Sequence, residues 1–262
     1  MKINDYNELK EWFINYTDSF LSEPNADKEN ILLKKQHTLR VCDNMALIAT
    51  ELSDNEQLIA LTSALLHDIG RFEQLKQYGT FSDFKSEDHA SLGVRVLKEL
   101  GTLHFLAPGE AELIITAIEN HNKATIETGL TAQALQICKL LRDADKLDIW
   151  RVVISYYKEE LEKENPTLVH NLPSGDDVTQ CIYETLKQQK IVPFKMLRSV
   201  IDIKIVQMGW IYDINTDKAL AVCAERGYLT SIYQTLPATQ RINELYQIMQ
   251  KHLSDNVSLS LN

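Results

Sequence analysis

Four histidines and one aspartate fall on the apolar stripes of helical segments, where an ionisable group is costly to bury. His37 shares its face with Val41, Ile48 and Leu52, and His67 follows Ala60 and Ala64. His89 precedes Gly93, Val96 and Leu100, His121 closes the stripe Ile114, Ala117, Ile118, and Asp145 closes Ala134, Cys138, Leu141. These intervals follow the period of about 3.6 residues of an amphipathic helix, whose apolar face turns inward. A buried imidazole or carboxylate needs a hydrogen bond, an opposite charge or a metal ion. Any one of these residues alone reads as a satisfied core side chain or a helix-end group. Five together, with Asp68 beside His67, do not. A set of His and Asp without cysteine points to a hydrolytic or redox divalent metal centre rather than a structural zinc knot.

The doublet His67-Asp68 is the sharpest local feature. Adjacent helix residues point about 100° apart, so both can reach one ion only at a helix end. The string ALLHDIGRF places Gly70 directly after the doublet, where the helix is expected to terminate.

ALLHDIGRFEQ is preceded by His37-x-x-Arg40-Val41 and followed by RDADKLD, Arg142 to Asp148. Together they resemble the HD-domain superfamily of metal-dependent phosphohydrolases. The pattern H…HD…D falls on His37, His67, Asp68 and Asp145. His89 in SEDHASLG and His121 in IENHNK match the members that hold two metals. The resemblance covers about residues 28–150. It implies that His37, His67, Asp68 and Asp145 bind one metal, and that Asp68 bridges to a second held by His89 and His121. One or two divalent ions per chain are expected, with iron, manganese, magnesium, nickel and zinc all open. The implied reaction is hydrolysis of a small phosphorylated molecule, expected to be a nucleotide, by a metal-activated water. Two alternatives stay open: a di-iron oxygenase built on the same six ligands, and a non-catalytic ligand-binding module, which the intact ligand set weakens.

Three cations lie close to this set. Arg71, four residues after His67, cannot act as a general acid near neutral pH. With Asp68 it is the expected catalytic pair, Arg71 gripping phosphate oxygens through its fork. Arg40 is expected to reach the phosphate or to pair with Asp145 or Glu73. Lys146 fits substrate contact or solvent, and Asp148 either orients a histidine or sits at the surface. The acidic pair that follows the doublet in guanosine-tetraphosphate hydrolases is absent, and so is a GYP signature. His104, His170 and His252 lie outside the motif and receive no role.

The elements that must position these residues are helical throughout. Helices are expected at about 5–20, 28–52, 55–68, 86–100, 109–121, 131–149, 150–163, 176–190, 194–210, 216–226 and 238–252. Val200–Val206 also alternates like a strand, but Leu197, Ile201, Ile205 and Met208 decide for helix. The class is all-α: an HD-type helical bundle with a C-terminal helical extension. Residues 1–262 read as a single domain, with a metal-binding core at 28–150 and a lobe at 151–262 beyond a loop at 164–177. The aromatic segment GYLTSIY, with Trp150, Trp210 and Tyr212, reads as core of that lobe.

Of 262 residues, 44% are hydrophobic and only 9 are Gly and 6 Pro, which excludes a disordered or collagen-like chain. A balance of 27 Lys+Arg against 37 Asp+Glu, net −10, argues against a sequence-independent nucleic-acid binder. Cys42, Cys138, Cys181 and Cys223 are scattered without a Cys-x-x-Cys pair, so free thiols are expected. The charged N-terminal segment does not read as a signal peptide, and no run of 18 apolar residues occurs. A cytoplasmic protein with a small-molecule partner, no membrane and room for a homodimer is the expectation.

Overall fold

The computed structural model describes residues 1–24, 26–158 and 172–259. Among them every regular element is a helix and no strand occurs. By its internal contacts the chain divides into two compact units, Met1–Asp148 and Ile149–Asn262. No helix among the described residues is long and apolar enough to cross a membrane.

The first unit holds α1 (Ile3–Leu21), α2 (Lys28–Ile48), α3 (Asp54–Leu66), α4 (Ile69–Tyr78), α5 (His89–Glu99), α6 (Pro108–His121) and the start of α7 (Ala132–Lys158). Local chemistry sets the starts. Asp27 caps α2 by accepting from Asn30 N, and Asp88 caps α5 by accepting from Ser91 N. Ser53 and Glu56 form a capping box on α3, and Pro108 opens α6. Gly79 ends α4 in the left-handed conformation, φ 64°. The helices pack through fully buried side chains that include Phe13, Met45, Leu66, Phe72 and Ile118.

Two features of this unit depart from the pattern in the sequence. A helix, α4, follows the His67-Asp68 doublet where none was expected, and Gly70 lies in its first turn instead of ending α3. The break falls at His67 and Asp68 themselves. Gly70 is small for another reason: a Cβ there would sit 2.2 Å from the His89 carbonyl oxygen and 2.5 Å from Gly93 N. Helices α4 and α5 therefore touch backbone to backbone at Gly70 and Gly93, which brings the start of α5 up to the doublet.

The second difference is α7, which runs unbroken from Ala132 to Lys158. Two helices meeting near residue 150 were expected, yet nothing between Lys146 and Val153 breaks or caps a helix. The rest of that expected second helix, residues 159–163, and most of the 164–177 loop lie outside the described residues.

The second unit contains α8 (Gln180–Lys187), α9 (Val200–Gly209), α10 (Asp217–Glu225), α11 (Tyr228–Tyr233) and α12 (Gln240–Leu259). Val200–Val206 is helical, although α9 starts only at its Ser199 cap, after a short 3-10 turn at Phe194–Met196. The GYLTSIY segment forms α11, a helix missed in the periodicity. Trp150 and Tyr228 are buried with ring centroids 5.6 Å apart, and Trp150 Nε1 donates to the Gln207 carbonyl at 2.8 Å. Trp150 and Tyr228 are core, whereas Trp210, Tyr212 and Tyr233, expected there too, are half-buried.

Candidate metal centre

Each of the six expected ligands sits where its helix points it inward. His37 lies on the buried face of α2, and His67 and Asp68 occupy the break between α3 and α4. His89 is the first residue of α5, His121 the last of α6, and Asp145 lies on α7. The four imidazoles and Asp68 are buried and Asp145 is half-buried.

Asp68 stands at the middle. Its Oδ2 lies 3.6 Å from His37 Nε2 and 3.5 Å from His67 Nε2. Its Oδ1 lies 3.3 Å from His89 Nε2 and 3.9 Å from His121 Nε2. Asp145 Oδ1 closes the first pair, at 3.1 Å from His37 Nε2 and 3.8 Å from His67 Nε2. One carboxylate thus faces two histidine pairs, one with each oxygen. Donor atoms of His37, His67 and Asp68 lie within 4.8 Å of one another, as do those of Asp68, His89 and His121.

The outer nitrogens fix the tautomers. His67 Nδ1 donates to the Ala64 carbonyl at 2.8 Å, and His121 Nδ1 to the Ile118 carbonyl at 2.6 Å. His37 Nδ1 meets Asp148 at 2.7 Å, and His89 Nδ1 meets Asp83 at 2.7 Å. With each Nδ1 spent on an acceptor, each neutral ring turns the lone pair of Nε2 toward Asp68. His67 Nε2 is buried with no hydrogen-bond partner among the described residues. His89 and His121 set their Nε2 atoms 3.0 Å apart, and neither can donate to the other without losing its Nδ1–H bond. Converging lone pairs, an orphaned buried nitrogen and outer partners holding each ring are what a divalent cation requires. The donor set fits the expected metal.

Charge states agree. Burial pushes the His89 and His121 imidazoles down to about 4, helped by Arg71 at His89 and by His67 at His121. Burial lowers His67 as well. Burial opposes ionisation of Asp68, but Lys34, His67, Arg71 and His89 outweigh it and hold the carboxyl well below its usual range. Asp145 is held low in the same way, against burial, by His37 and His67. His37 is the exception. Burial and Lys34 pull its pKa down, yet hydrogen bonds to Asp145 and Asp148 raise it overall.

The expected cations occupy particular places. Arg40 makes a two-point bond to buried Asp148, Nε to Oδ1 at 2.6 Å and Nη2 to Oδ2 at 3.0 Å, and does not pair with Asp145 or Glu73. Asp148 in turn holds His37, so it is the orienting carboxylate and not a surface group. Arg71 spends Nη1 on Asp83 Oδ1 at 2.8 Å, Gln74 Oε1 at 2.9 Å and the Phe81 carbonyl, and its Nε lies 3.5 Å from Asp68 Oδ1. Lys146 is half-buried on α7, one residue beyond Asp145.

Two residues were overlooked in the sequence. Lys34 reaches Asp68 Oδ2 at 2.6 Å, and its place one turn before His37 on α2 was the available signal. Asp83, which holds both His89 and Arg71, lies between α4 and α5 in a stretch without periodicity, where no signal marked it.

A model of the HD domain family matches residues 35–150, a span that contains all six of these His and Asp residues. No curated protein and no solved structure matches the chain. Metal-dependent, hydrolase-type chemistry is the family's general character. Residues 35–150 of this chain belong to the HD-domain superfamily.

Proposed function

We propose that the chain is a metal-dependent phosphohydrolase or phosphodiesterase acting on a small phosphorylated molecule, a nucleotide by preference. The observation that carries this reading is Asp68, whose two oxygens face different histidine pairs. His37, His67, Asp68 and Asp145 would hold one divalent ion, and Asp68, His89 and His121 a second. Such a pair of ions supplies charge for phosphoryl oxygens and a water acidic enough to ionise near neutral pH.

The rest of the work falls to the chain. Asp148 and Asp83 hold His37 and His89 in the tautomer that leaves Nε2 free to ligate. In a chain of net charge −10, an anion is admitted only where positive charge is concentrated. Arg71, Arg40 and Lys146 are the proposed substrate-side cations. Arg71 and Arg40 each spend part of the guanidinium on a carboxylate, which leaves Arg71 Nη2 and Arg40 Nη1 for an anion. Arg71 can grip phosphate with its whole fork only if Asp83 releases Nη1.

The test is to purify the protein with its native metal, count divalent ions per chain and screen phosphomonoesters, phosphodiesters and nucleotides. Phosphate release that disappears on chelation and returns with the metal supports the reading. A metal-loaded protein that consumes O₂ and releases no phosphate replaces it with the oxygenase.

A further inference from the structure

Lys34 holds an unusual position for a lysine. It projects from α2 one turn before His37, and its ammonium lies 2.6 Å from Asp68 Oδ2, the oxygen that also faces His37 and His67. The Phe81 ring lies beneath the ammonium, 5.8 Å from Nζ to the ring centroid. Among the described residues, Asp68 is its one carboxylate partner. The side chain is one-fifth exposed, whereas Asp68 is buried, so Lys34 links the buried carboxylate to solvent.

A divalent cation and an ammonium cannot both neutralise one carboxylate oxygen without repelling each other. Asp68 Oδ2 belongs to the proposed ligand set, so Lys34 competes for it. A displaced Lys34 would stay close. Its flexible four-carbon stem is rooted on α2, and the nearby Phe81 ring offers the ammonium a resting face. Arg71 and Arg40 are already tied to Asp83 and Asp148, whereas the partner of Lys34 is the one that metal binding removes.

Resting on the phosphohydrolase reading, we propose that Lys34 is a substrate-binding residue that exchanges partners. It neutralises Asp68 until metal binds there and then takes a phosphate oxygen of the substrate. The four-carbon stem and point charge suit this exchange better than a guanidinium fixed by two hydrogen bonds.

The exchange predicts effects of opposite sign from one substitution. Titration calorimetry would measure Mn²⁺ binding, and Fe²⁺ binding without oxygen, to wild type, Lys34→Met and Lys34→Gln. Inorganic phosphate would then be titrated into each metal-loaded protein. Removing the ammonium should tighten metal binding at least about tenfold, since a competitor is lost, and weaken phosphate binding by a similar factor. Lys34→Arg should recover part of the phosphate affinity. Thermal melts of each variant establish that it is folded, and the glutamine variant serves if the methionine variant is not. Wild-type affinities for both probes in Lys34→Met and Lys34→Gln would overturn the exchange and leave the phosphohydrolase reading intact. Weakened metal binding in both would make Lys34 a structural support and also overturn it. A wild-type protein that binds neither cation would overturn the phosphohydrolase reading as well.

Discussion

Asp83 grips His89 and Arg71 at once, with Oδ2 2.7 Å from His89 Nδ1 and Oδ1 2.8 Å from Arg71 Nη1. A third bond, from Gln74 Nε2 at 2.8 Å, ties the same carboxylate to α4. Asp83 therefore joins the doublet's own helix to the proposed ligand on α5. Loss of a carboxylate behind a metal-binding imidazole typically weakens binding about 10–100-fold. Asp83→Ala should do so at the ion proposed between His89 and His121, and spare the one proposed between His37 and His67. Two-site metal titration checks this, and equal weakening of both ions would contradict it.

Arg71 should act partly through the same carboxylate. Arg71→Ala is expected to lower phosphoester turnover by about 10²-fold, the usual scale for losing a charge contact to the transition state. Because its Nη1 is committed to Asp83, some of that loss should reach metal occupancy on the His89 side. The double variant Arg71→Ala/Asp83→Ala should then lose less than the sum of the two single losses. Additive losses in kcat/KM would show two independent roles.

Gly70 makes the packing of α4 on α5 testable. Alanine there would place its Cβ 2.2 Å from the His89 carbonyl oxygen, so the helices must separate. Overpacking of this kind typically costs about 1–3 kcal/mol. Gly70→Ala should show that loss in urea unfolding, together with weaker metal binding on the His89 side. Unchanged stability would mean that the close approach is not required.

The convergence of these side chains is legible in the sequence where they ride on amphipathic helices, because the period states which way a side chain points. His37, His121 and Asp145 follow that logic. The doublet follows it only in part. Gly70 reads as a helix stop, yet it serves a contact between α4 and α5 that no local pattern encodes. Asp83 was invisible for the same reason, since a residue between helices acquires its partners from tertiary packing. Arg40 reads as a partner of phosphate, Asp145 or Glu73, yet it bonds Asp148, one turn beyond Asp145 on α7, a choice set by tertiary packing. The second unit gives no motif, and only its aromatic core was readable.

The thiols offer a check on the burial pattern. Burial raises Cys42 and Cys223 to about 12 and Cys138 to about 11, so almost no thiolate forms at those sites near neutral pH. Cys181 is exposed. Iodoacetamide at pH 7.5 should label Cys181 alone in the folded protein, and all 4 cysteines after unfolding in urea. Mass spectrometry counts the adducts, and rapid labelling of Cys42 in the folded state would contradict the packing around α2.

The central claim is that Asp68 serves two metal ions at once. Elemental analysis of the purified protein, Asp68→Ala and His121→Ala, expressed and metal-loaded alike, tests it most directly. The account predicts two divalent ions per chain in the parent, none in Asp68→Ala and one in His121→Ala. Full metal occupancy in folded Asp68→Ala would contradict it.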